Sequence, residues 1–260
     1  MSVTVFTRDS ARHIALVNKL ATVTNSVYAV VESSLPSATA PPKSPVMTDY
    51  FSRVQQAEDL IFGTDITLDS RVKIQSIVAG QLNQLTQQQL AAALESDLVV
   101  VFGSSYIKGW LADALIAKNA VNLHMGISPQ YRGAACNFWA LFDNNPQLVG
   151  ATIHRLAKSL DSGSVIQHVR PKFIDQNLFH FSMQAVAACH DALVALISNN
   201  QLQIMTPQPQ DSSLEIRYSK NADFTDEIAS SFLQRVVDLA TFRQLLSSIS
   251  PLELINPIAF

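Results

Sequence analysis

Short runs of β-branched and aliphatic residues alternate along the chain with longer stretches in which apolar residues recur every three or four positions. The short runs predict buried strands, and the longer stretches predict helices with one apolar face. Strands are predicted at residues 3–6, 27–31, 98–102, 120–124, 150–154 and 164–173. Helices are predicted at residues 14–20, 50–61, 82–94, 135–142 and 179–197, and a proline-rich loop at residues 33–45. This alternation favours an α/β fold, with a mostly parallel sheet that helices cover on both faces.

The end of the chain follows a different pattern. Residues 214–218 alternate as in a strand, and Thr225 is expected to cap the helix that follows. The apolar face of this helix is formed by Ile228, Phe232, Val236 and Leu239. We therefore predict a main domain at residues 1–200 and a small α/β C-terminal extension at residues 201–260 that packs on it. The apolar tail, residues 252–260, either docks on its own core, which we favour, or meets a second subunit, which leaves a homodimer open.

Composition narrows the class of protein. The chain has 260 residues, of which 48% are hydrophobic, enough to fill a sizeable core. Its 18 basic and 21 acidic residues give a net charge of −3, which argues against a nucleic-acid partner. Cys136 and Cys189 lie far apart and fit neither a disulfide framework nor a metal site, so both are expected to be reduced thiols. With no predicted leader or membrane-spanning run, we expect a soluble cytoplasmic protein with no membrane partner.

The strongest chemical signal follows the predicted strand at residues 120–124. Binding sites in open α/β sheets gather beyond the carboxyl ends of the strands. Asn122 and His124 are two positions apart there, so both side chains point to the same side of the sheet. An amide and an imidazole on one face can stabilise an oxygen that becomes negative during acyl transfer. Taken alone, the pair also fits a sheet-edge amide and an ordinary loop histidine.

Three further motifs follow in order: Ser-Pro-Gln-Tyr-Arg-Gly-Ala at 128–134, Gly-Ala-Thr-Ile-His at 150–154 and Leu-Asp-Ser-Gly-Ser-Val-Ile at 160–166. Together with the Asn-Leu-His segment, they resemble the folate-dependent formyltransferase family, which includes glycinamide ribonucleotide, methionyl-tRNA and nucleotide-sugar formyltransferases. The core of the resemblance spans residues 98–166, and a weaker similarity in strand order extends from the N-terminus to about residue 200. The resemblance implies a Rossmann-like fold and transfer of a formyl group from 10-formyltetrahydrofolate to a primary amine.

The resemblance also implies roles for individual residues. Asn122 would donate its amide N–H to the formyl oxygen, and His124 would stabilise the same oxygen. Asp161 would hold the imidazole and help to move a proton through water, although Asp-Ser-Gly alone would indicate an Asx-turn. The pterin would lie along the loop after residue 102, against Ser105, Tyr106 and Ile107. Gly163 would let backbone come close to a ligand.

The remaining candidate residues are less constrained. Arg132 either orients the substrate or braces its own loop. The other histidines show no metal-ligand spacing, so we predict no metal site and expect them to be structural or solvated; they are His154, His168, His180 and His190.

The segment after the first strand bears on the acceptor. The resemblance implies a glycine-rich phosphate-binding turn there for a glycinamide ribonucleotide enzyme, but this chain has Thr7-Arg8-Asp9-Ser10. We therefore predict that Arg8 and Arg12 contact an anionic group of a nucleotide-linked amino sugar. The alternatives are a formyltetrahydrofolate hydrolase with the same three catalytic residues, a formyltransferase for another small amine such as glycinamide ribonucleotide, and a catalytically silent binding module. A nicotinamide enzyme is disfavoured because no Gly-x-Gly-x-x-Gly motif follows this strand.

Overall fold

A central sheet organises the molecule, a computed structural model that describes residues 1–34, 44–174, 177–235, 238–248 and 254–259. Within these ranges, eight strands form the central sheet in the order β10-β8-β7-β5-β4-β1-β2-β3, and β6 and β9 form a separate pair. The strands are β1 (Ser2–Arg8), β2 (Ser26–Ser33), β3 (Lys73–Val78), β4 (Leu98–Val101), β5 (Val121–His124), β6 (Tyr131–Gly133), β7 (Ala151–Arg155), β8 (Val165–Arg170), β9 (Arg217–Ser219) and β10 (Ile258–Ala259). Only β7 runs against its neighbours in this sheet, so the predicted mostly parallel sheet is confirmed.

Helices cover both faces of the sheet, as predicted. They are α1 (Ala11–Val23), α2 (Pro45–Phe62), α3 (Ala91–Leu94), α4 (Gly109–Ala117), α5 (Cys136–Phe142), α6 (Leu178–Ser198), α7 (Gln201–Ile204), α8 (Asp226–Leu233) and α9 (Leu239–Ser247). Val3 and Val5 of β1 join the core with α1 and α6, whereas Phe6 packs on the opposite face with α3 and α4. This division follows from the alternation of side chains along a strand.

Helix α6 differs from expectation in one respect. It is long and apolar enough to cross a membrane by length and composition, although no run of that length was predicted. Most of its apolar window is buried in the protein, against the sheet and α1. Burial on several sides explains why the helix carries so few polar residues.

Between β2 and β4, one strand was missed and one predicted helix was wrong. The strand β3 was not predicted, because its residues are largely exposed at the edge of the sheet and lack a buried apolar run. The predicted helix at residues 82–94 is replaced by a 3-10 turn at Leu82–Gln84 and the short α3. Leu82 and Leu90 are each buried, but a glutamine-rich stretch lies between them. Helix α4 was also missed.

Beyond α6, the sequence pattern predicted some elements correctly and others with the wrong length. Thr225 caps α8 as predicted, its hydroxyl oxygen accepting from the Ile228 N–H. The predicted strand at 214–218 is shorter, because residues 212–214 form a 3-10 turn and β9 starts at residue 217. The predicted apolar face is also too long, since α8 ends at Leu233 and the exposed Leu239 starts α9.

The tail docks on its own chain within the described residues. Leu254 is buried in a cluster that includes Phe242, and β10 pairs with β8. Residues 252, 253 and 260 of the predicted tail, most of the predicted loop at 33–45, and Val236 lie outside the described residues.

Candidate active site

The predicted triad meets at the carboxyl ends of β4 and β5. Val121 and Leu123 of β5 point into the core, so Asn122 and His124 point to the opposite side of the sheet. They line a cavity of about 340 Å³. The segments 101–107 and 156–161 form most of its other walls, and Asp161 lies in the second of these. The structure therefore brings Asn122, His124 and Asp161 together.

His124 is a buried imidazole between two acceptors. Its Nδ1 lies 3.3 Å from Asp161 Oδ2, and its Nε2 lies 2.9 Å from the Tyr131 carbonyl oxygen. Both nitrogens must carry a proton to satisfy these acceptors, so the geometry fits an imidazolium. Burial by itself lowers the pKa of His124, but the Asp161 carboxylate, helped by Cys136, outweighs it and raises this pKa well above its ordinary value.

Asp161 is the anionic partner of this ring. Its Oδ2 also accepts from the Gly133 N–H at 3.2 Å, and its Oδ1 lies 3.5 Å from Asn122 Nδ2. Burial tends to raise the pKa of Asp161, but the facing His124 lowers it to about 2. The residue adopts a left-handed backbone conformation, with φ at 50°, which aspartate tolerates better than most residues. The site therefore holds a buried ion pair.

His154 is a site residue that the sequence interpretation missed. It faces Asn122 across the β5–β7 pair, and its Nε2 lies 3.0 Å from Asn122 Nδ2. Its Nδ1 lies 2.8 Å from the Arg155 carbonyl oxygen, which places the proton on Nδ1 and leaves Nε2 as an acceptor. Burial lowers the pKa of His154 to about 4, so the ring is neutral. The position of His154 in the Gly-x-Thr-x-His motif was the sequence feature that could have indicated its place in the site.

The loop proposed to bind the pterin lines the same cavity. Ser105, Tyr106 and Ile107 all contribute to its wall. The loop is anchored by Glu32, a buried carboxylate that accepts from Ser105 N at 2.5 Å and from Gly80 N at 3.0 Å. Glu32 ends a strand whose partner β3 was not predicted, so the sequence pattern did not indicate this role.

Gly163 lies outside the cavity wall. A Cβ at this position would lie 1.7 Å from the Arg155 carbonyl oxygen. The glycine therefore lets the turn after Asp161 pack against β7.

The three arginines that were predicted to bind the substrate do not come together at the first cavity. Arg8 is exposed and does not line the cavity. Arg132 forms an ion pair with Glu215 and lies 5.7 Å over the Tyr218 ring, contacts that favour a bracing role. Arg12 does line the cavity, with its backbone N–H and guanidinium both bound to the buried Glu58.

A second cavity of about 600 Å³ adjoins the first. Four residues belong to the walls of both cavities: Arg12, His124, Met125 and Gly133. The second cavity is mostly apolar and aromatic, and among the described residues no carboxylate lines it. His124 thus borders two adjoining spaces, each large enough for part of a small molecule.

Comparison with known proteins agrees with this architecture. Residues 77–196 match the family described as formyl transferase. Over 129 residues the chain is 29% identical to methionyl-tRNA formyltransferase from Acidobacterium capsulatum, a match that covers 48% of this chain and 40% of that protein. The chain thus matches well under half the length of this curated relative.

Solved structures are similar at the level of the fold. A sugar N-formyltransferase from a Shewanella species is 18% identical, with a TM-score of 0.53, and the match covers 95% of this chain and 87% of that one. An N-formyltransferase from Helicobacter canadensis, in complex with folinic acid and dTDP-3-aminofucose, is 11% identical (TM-score 0.51, 88% and 78% covered). A phosphoribosylglycinamide formyltransferase from Anaplasma phagocytophilum is 15% identical (TM-score 0.51, 78% and 88% covered).

The three sequence motifs lie within the segment that matches the formyl transferase family, and the fold around them is similar to that of the solved formyltransferases. The match covers residues 77–196, which include Asn122, His124 and Asp161.

Proposed function

We propose that the protein transfers a formyl group from 10-formyltetrahydrofolate to the primary amine of a nucleotide-linked amino sugar. The observation that carries this proposal is the position of His124 in the walls of two cavities. A transferase must hold donor and acceptor on either side of the reacting group at the same time, because orientation supplies much of the rate. Two adjoining cavities support that requirement.

The first cavity suits the donor. Apolar side chains from both walls, among them Ile107 and Leu156, flank the backbone of residues 103–106. Apolar walls with backbone donors and acceptors bind a flat heterocycle such as a pterin. In this arrangement Ser105, Tyr106 and Ile107 hold the folate, and the formyl group reaches toward Asn122 and His124.

The charges of the site fit formyl transfer. When the amine nitrogen attacks the formyl carbon, the formyl oxygen becomes negative, and the buried positive charge of His124 stabilises it. Asn122 donates to this oxygen by giving up its long, 3.5 Å contact with Asp161. The bond from the formyl carbon to the folate nitrogen then breaks, and the amine proton passes through water beside Asp161 to that nitrogen. The products are the N-formyl amine and tetrahydrofolate.

His154 assists by fixing the amide of Asn122. As a neutral ring with Nε2 unprotonated, it accepts one amide hydrogen and so sets which end of the amide faces His154. The second amide hydrogen remains for the formyl oxygen.

Three observations favour an amino sugar as the acceptor. The segment after β1 has no glycine, which argues against the phosphate turn that the family resemblance implies for glycinamide ribonucleotide. The similarity to the sugar N-formyltransferase covers 95% of this chain, against 78% for the phosphoribosylglycinamide enzyme. The Helicobacter canadensis enzyme was solved with folinic acid and a dTDP-linked amino sugar, and we extend this pair of ligands to the present chain.

The test is a transfer assay with 10-formyltetrahydrofolate and a panel of amines: dTDP- and UDP-linked 3-amino and 4-amino deoxysugars, glycinamide ribonucleotide and methionyl-tRNA. We expect an N-formyl product, identified by mass spectrometry, only with the nucleotide-linked amino sugars. Formate release without any amine product would instead identify a hydrolase. Turnover confined to glycinamide ribonucleotide or methionyl-tRNA would contradict the proposed acceptor.

A further inference from the structure

The second cavity contains an unusual balance of charge. Its wall includes three cationic side chains, Arg12, His124 and Lys220, and no carboxylate among the described residues. The guanidinium of Arg12 is already bound to Glu58, and the His124 ring is paired with Asp161. Within the described part of the chain, no carboxylate forms an ion pair with the exposed Lys220 ammonium, and Asp223 accepts from the Lys220 backbone N–H instead. The cavity therefore offers one ammonium group that is free to bind an anion.

Lys220 is held at the cavity by the β6–β9 pair. Ser219, the preceding residue, accepts from the Ala134 N–H at 2.9 Å, and its hydroxyl donates to the Ala134 carbonyl oxygen at 2.5 Å. Ser219 is buried, and its carbonyl oxygen lies so close to Gly133 that a Cβ there would approach to 2.0 Å. Gly133 itself belongs to the wall shared by both cavities. Lys220 thus directly follows Ser219, whose position beside the reacting groups is fixed by these contacts.

An aromatic surface lies close to this charge in sequence and in space. Phe224, four residues after Lys220, lies 4.7 Å from the ring of Tyr50 and 6.2 Å from the ring of Phe51, measured between centroids. All three rings line the second cavity. Flat apolar side chains bind a planar base, and an ammonium binds phosphate oxygens as a point charge.

We propose that Lys220 is a specificity-determining residue that binds the diphosphate of the acceptor, with the nucleobase against the aromatic surface of Tyr50, Phe51 and Phe224. This inference rests on the proposed function, because it assigns the second cavity to a nucleotide-linked amine. It makes the predicted C-terminal extension part of the acceptor site, since Lys220 and Phe224 both lie beyond residue 200. Residues on both sides of the matched segment 77–196 then recognise the acceptor, and the matched segment carries the chemistry.

The first measurement is binding of dTDP and UDP alone by isothermal titration calorimetry, which needs no turnover. We expect Lys220→Met to weaken binding of the nucleoside diphosphate about tenfold, as expected for losing one partly solvated charge-assisted contact. Lys220→Arg keeps the charge and should restore most of the affinity. The matched control is Lys73→Met, an exposed lysine on β3 that lines neither cavity, and it should leave binding unchanged.

The second measurement compares one amino sugar in its nucleotide-linked and free forms as formyl acceptors. We expect Lys220→Met to raise KM for the nucleotide-linked form about tenfold, because the lost contact stabilises the bound substrate and the transition state equally. The values of kcat, of KM for 10-formyltetrahydrofolate and of KM for the free sugar should stay near wild type. Wild-type transfer to the linked sugar with an unchanged KM in Lys220→Met would overturn this inference and leave the proposed function standing. Formate release without transfer would overturn the proposed function, and failure of the wild type to bind either nucleotide would overturn the inference.

Discussion

Two histidines in the site carry different charges because their partners differ. His124 has an acceptor at each nitrogen, including the Asp161 carboxylate, so its pKa is raised although the ring is buried. His154 has one acceptor and one donor, the Asn122 amide, and burial lowers its pKa to about 4. The Asp161 carboxylate thus keeps His124 charged, while the neighbouring His154 stays neutral.

The first prediction concerns Asp161→Asn. Removing the carboxylate leaves burial as the dominant effect on His124, so its pKa should fall. A group that must be protonated supports activity below its pKa and loses it above, so the alkaline limb of kcat/KM should move to lower pH. Turnover at saturation should fall by about 10²-fold or more, as for other lost oxyanion stabilisers. Rate profiles from pH 5 to 10 provide the measurement.

His124→Ala is the companion variant. It should reduce turnover to a similar extent and weaken 10-formyltetrahydrofolate binding much less, because the group acts in the transition state. An alkaline limb that stays in place in Asp161→Asn, or near-normal turnover in either variant, would show that the triad assignment is wrong.

At the scale of elements, the β6–β9 pair ties the residues after 200 to the site. Gly133 ends β6 with φ at 92°, and it is paired with Ser219 of β9. Nearby, Arg217 of β9 forms an ion pair with Asp143 and lies 4.4 Å over the Trp139 ring of α5. These contacts hold β9 firmly beside the predicted catalytic residues.

The second prediction compares two glycines with the same backbone requirement. Gly133 and Gly80 both have φ near 90°, but a Cβ would contact Ser219 at Gly133 and no atom within 4 Å at Gly80. Gly80→Ala should lower the free energy of unfolding by about 1–2 kcal/mol, the cost of a left-handed alanine. Gly133→Ala should lower it by more and should also raise KM for the acceptor. Chemical denaturation and steady-state kinetics test this pair; equal effects of the two substitutions would mean that the close contact with β9 is unimportant.

For the whole molecule, buried histidines couple stability to pH. Burial, first among several causes, lowers the pKa of His13 to about 3 and the pKa of both His154 and His168 to about 4. Between those values and about 6.5, the unfolded chain binds protons that the folded chain does not. Well below pH 6.5 His124 adds little slope, because its raised pKa keeps it protonated in the folded chain and its ordinary pKa keeps it protonated in the unfolded chain. Above about pH 6.5 only the folded chain keeps this proton, so the contribution of His124 to stability decreases as the pH rises.

The third prediction follows from this proton balance. The free energy of unfolding should be nearly level just above pH 6.5 as far as these three groups are concerned, and it should fall as the pH drops toward 4. Each group contributes a slope of about 1.4 kcal/mol per pH unit at most. Guanidinium denaturation at pH 6.5, 5.5 and 4.5 measures the effect, with His180→Gln as a control at a less buried histidine. Equal stability at pH 6.5 and 4.5 would contradict it.

Much of the fold could be predicted because the local pattern of apolar residues depends directly on burial. The valine-rich runs in β1, β2 and β4 are buried on both faces, and such runs have few alternatives to a central strand. The exposed β3 and the dispersed anchors Leu82 and Leu90 carry no such signal, and their structure depends on neighbours that are distant in sequence.

For the site, the residue types and their order could be read from the chain, and two-residue periodicity placed Asn122 and His124 on one side of a strand. The antiparallel pairing of β7 with β5, which brings His154 to Asn122, is visible only in the folded protein. The same is true of the anchoring of the Ser105 loop by Glu32 and of the place of His124 in the walls of two cavities. These relations join residues far apart along the chain, and they depend on strand order and burial, which local periodicity does not encode.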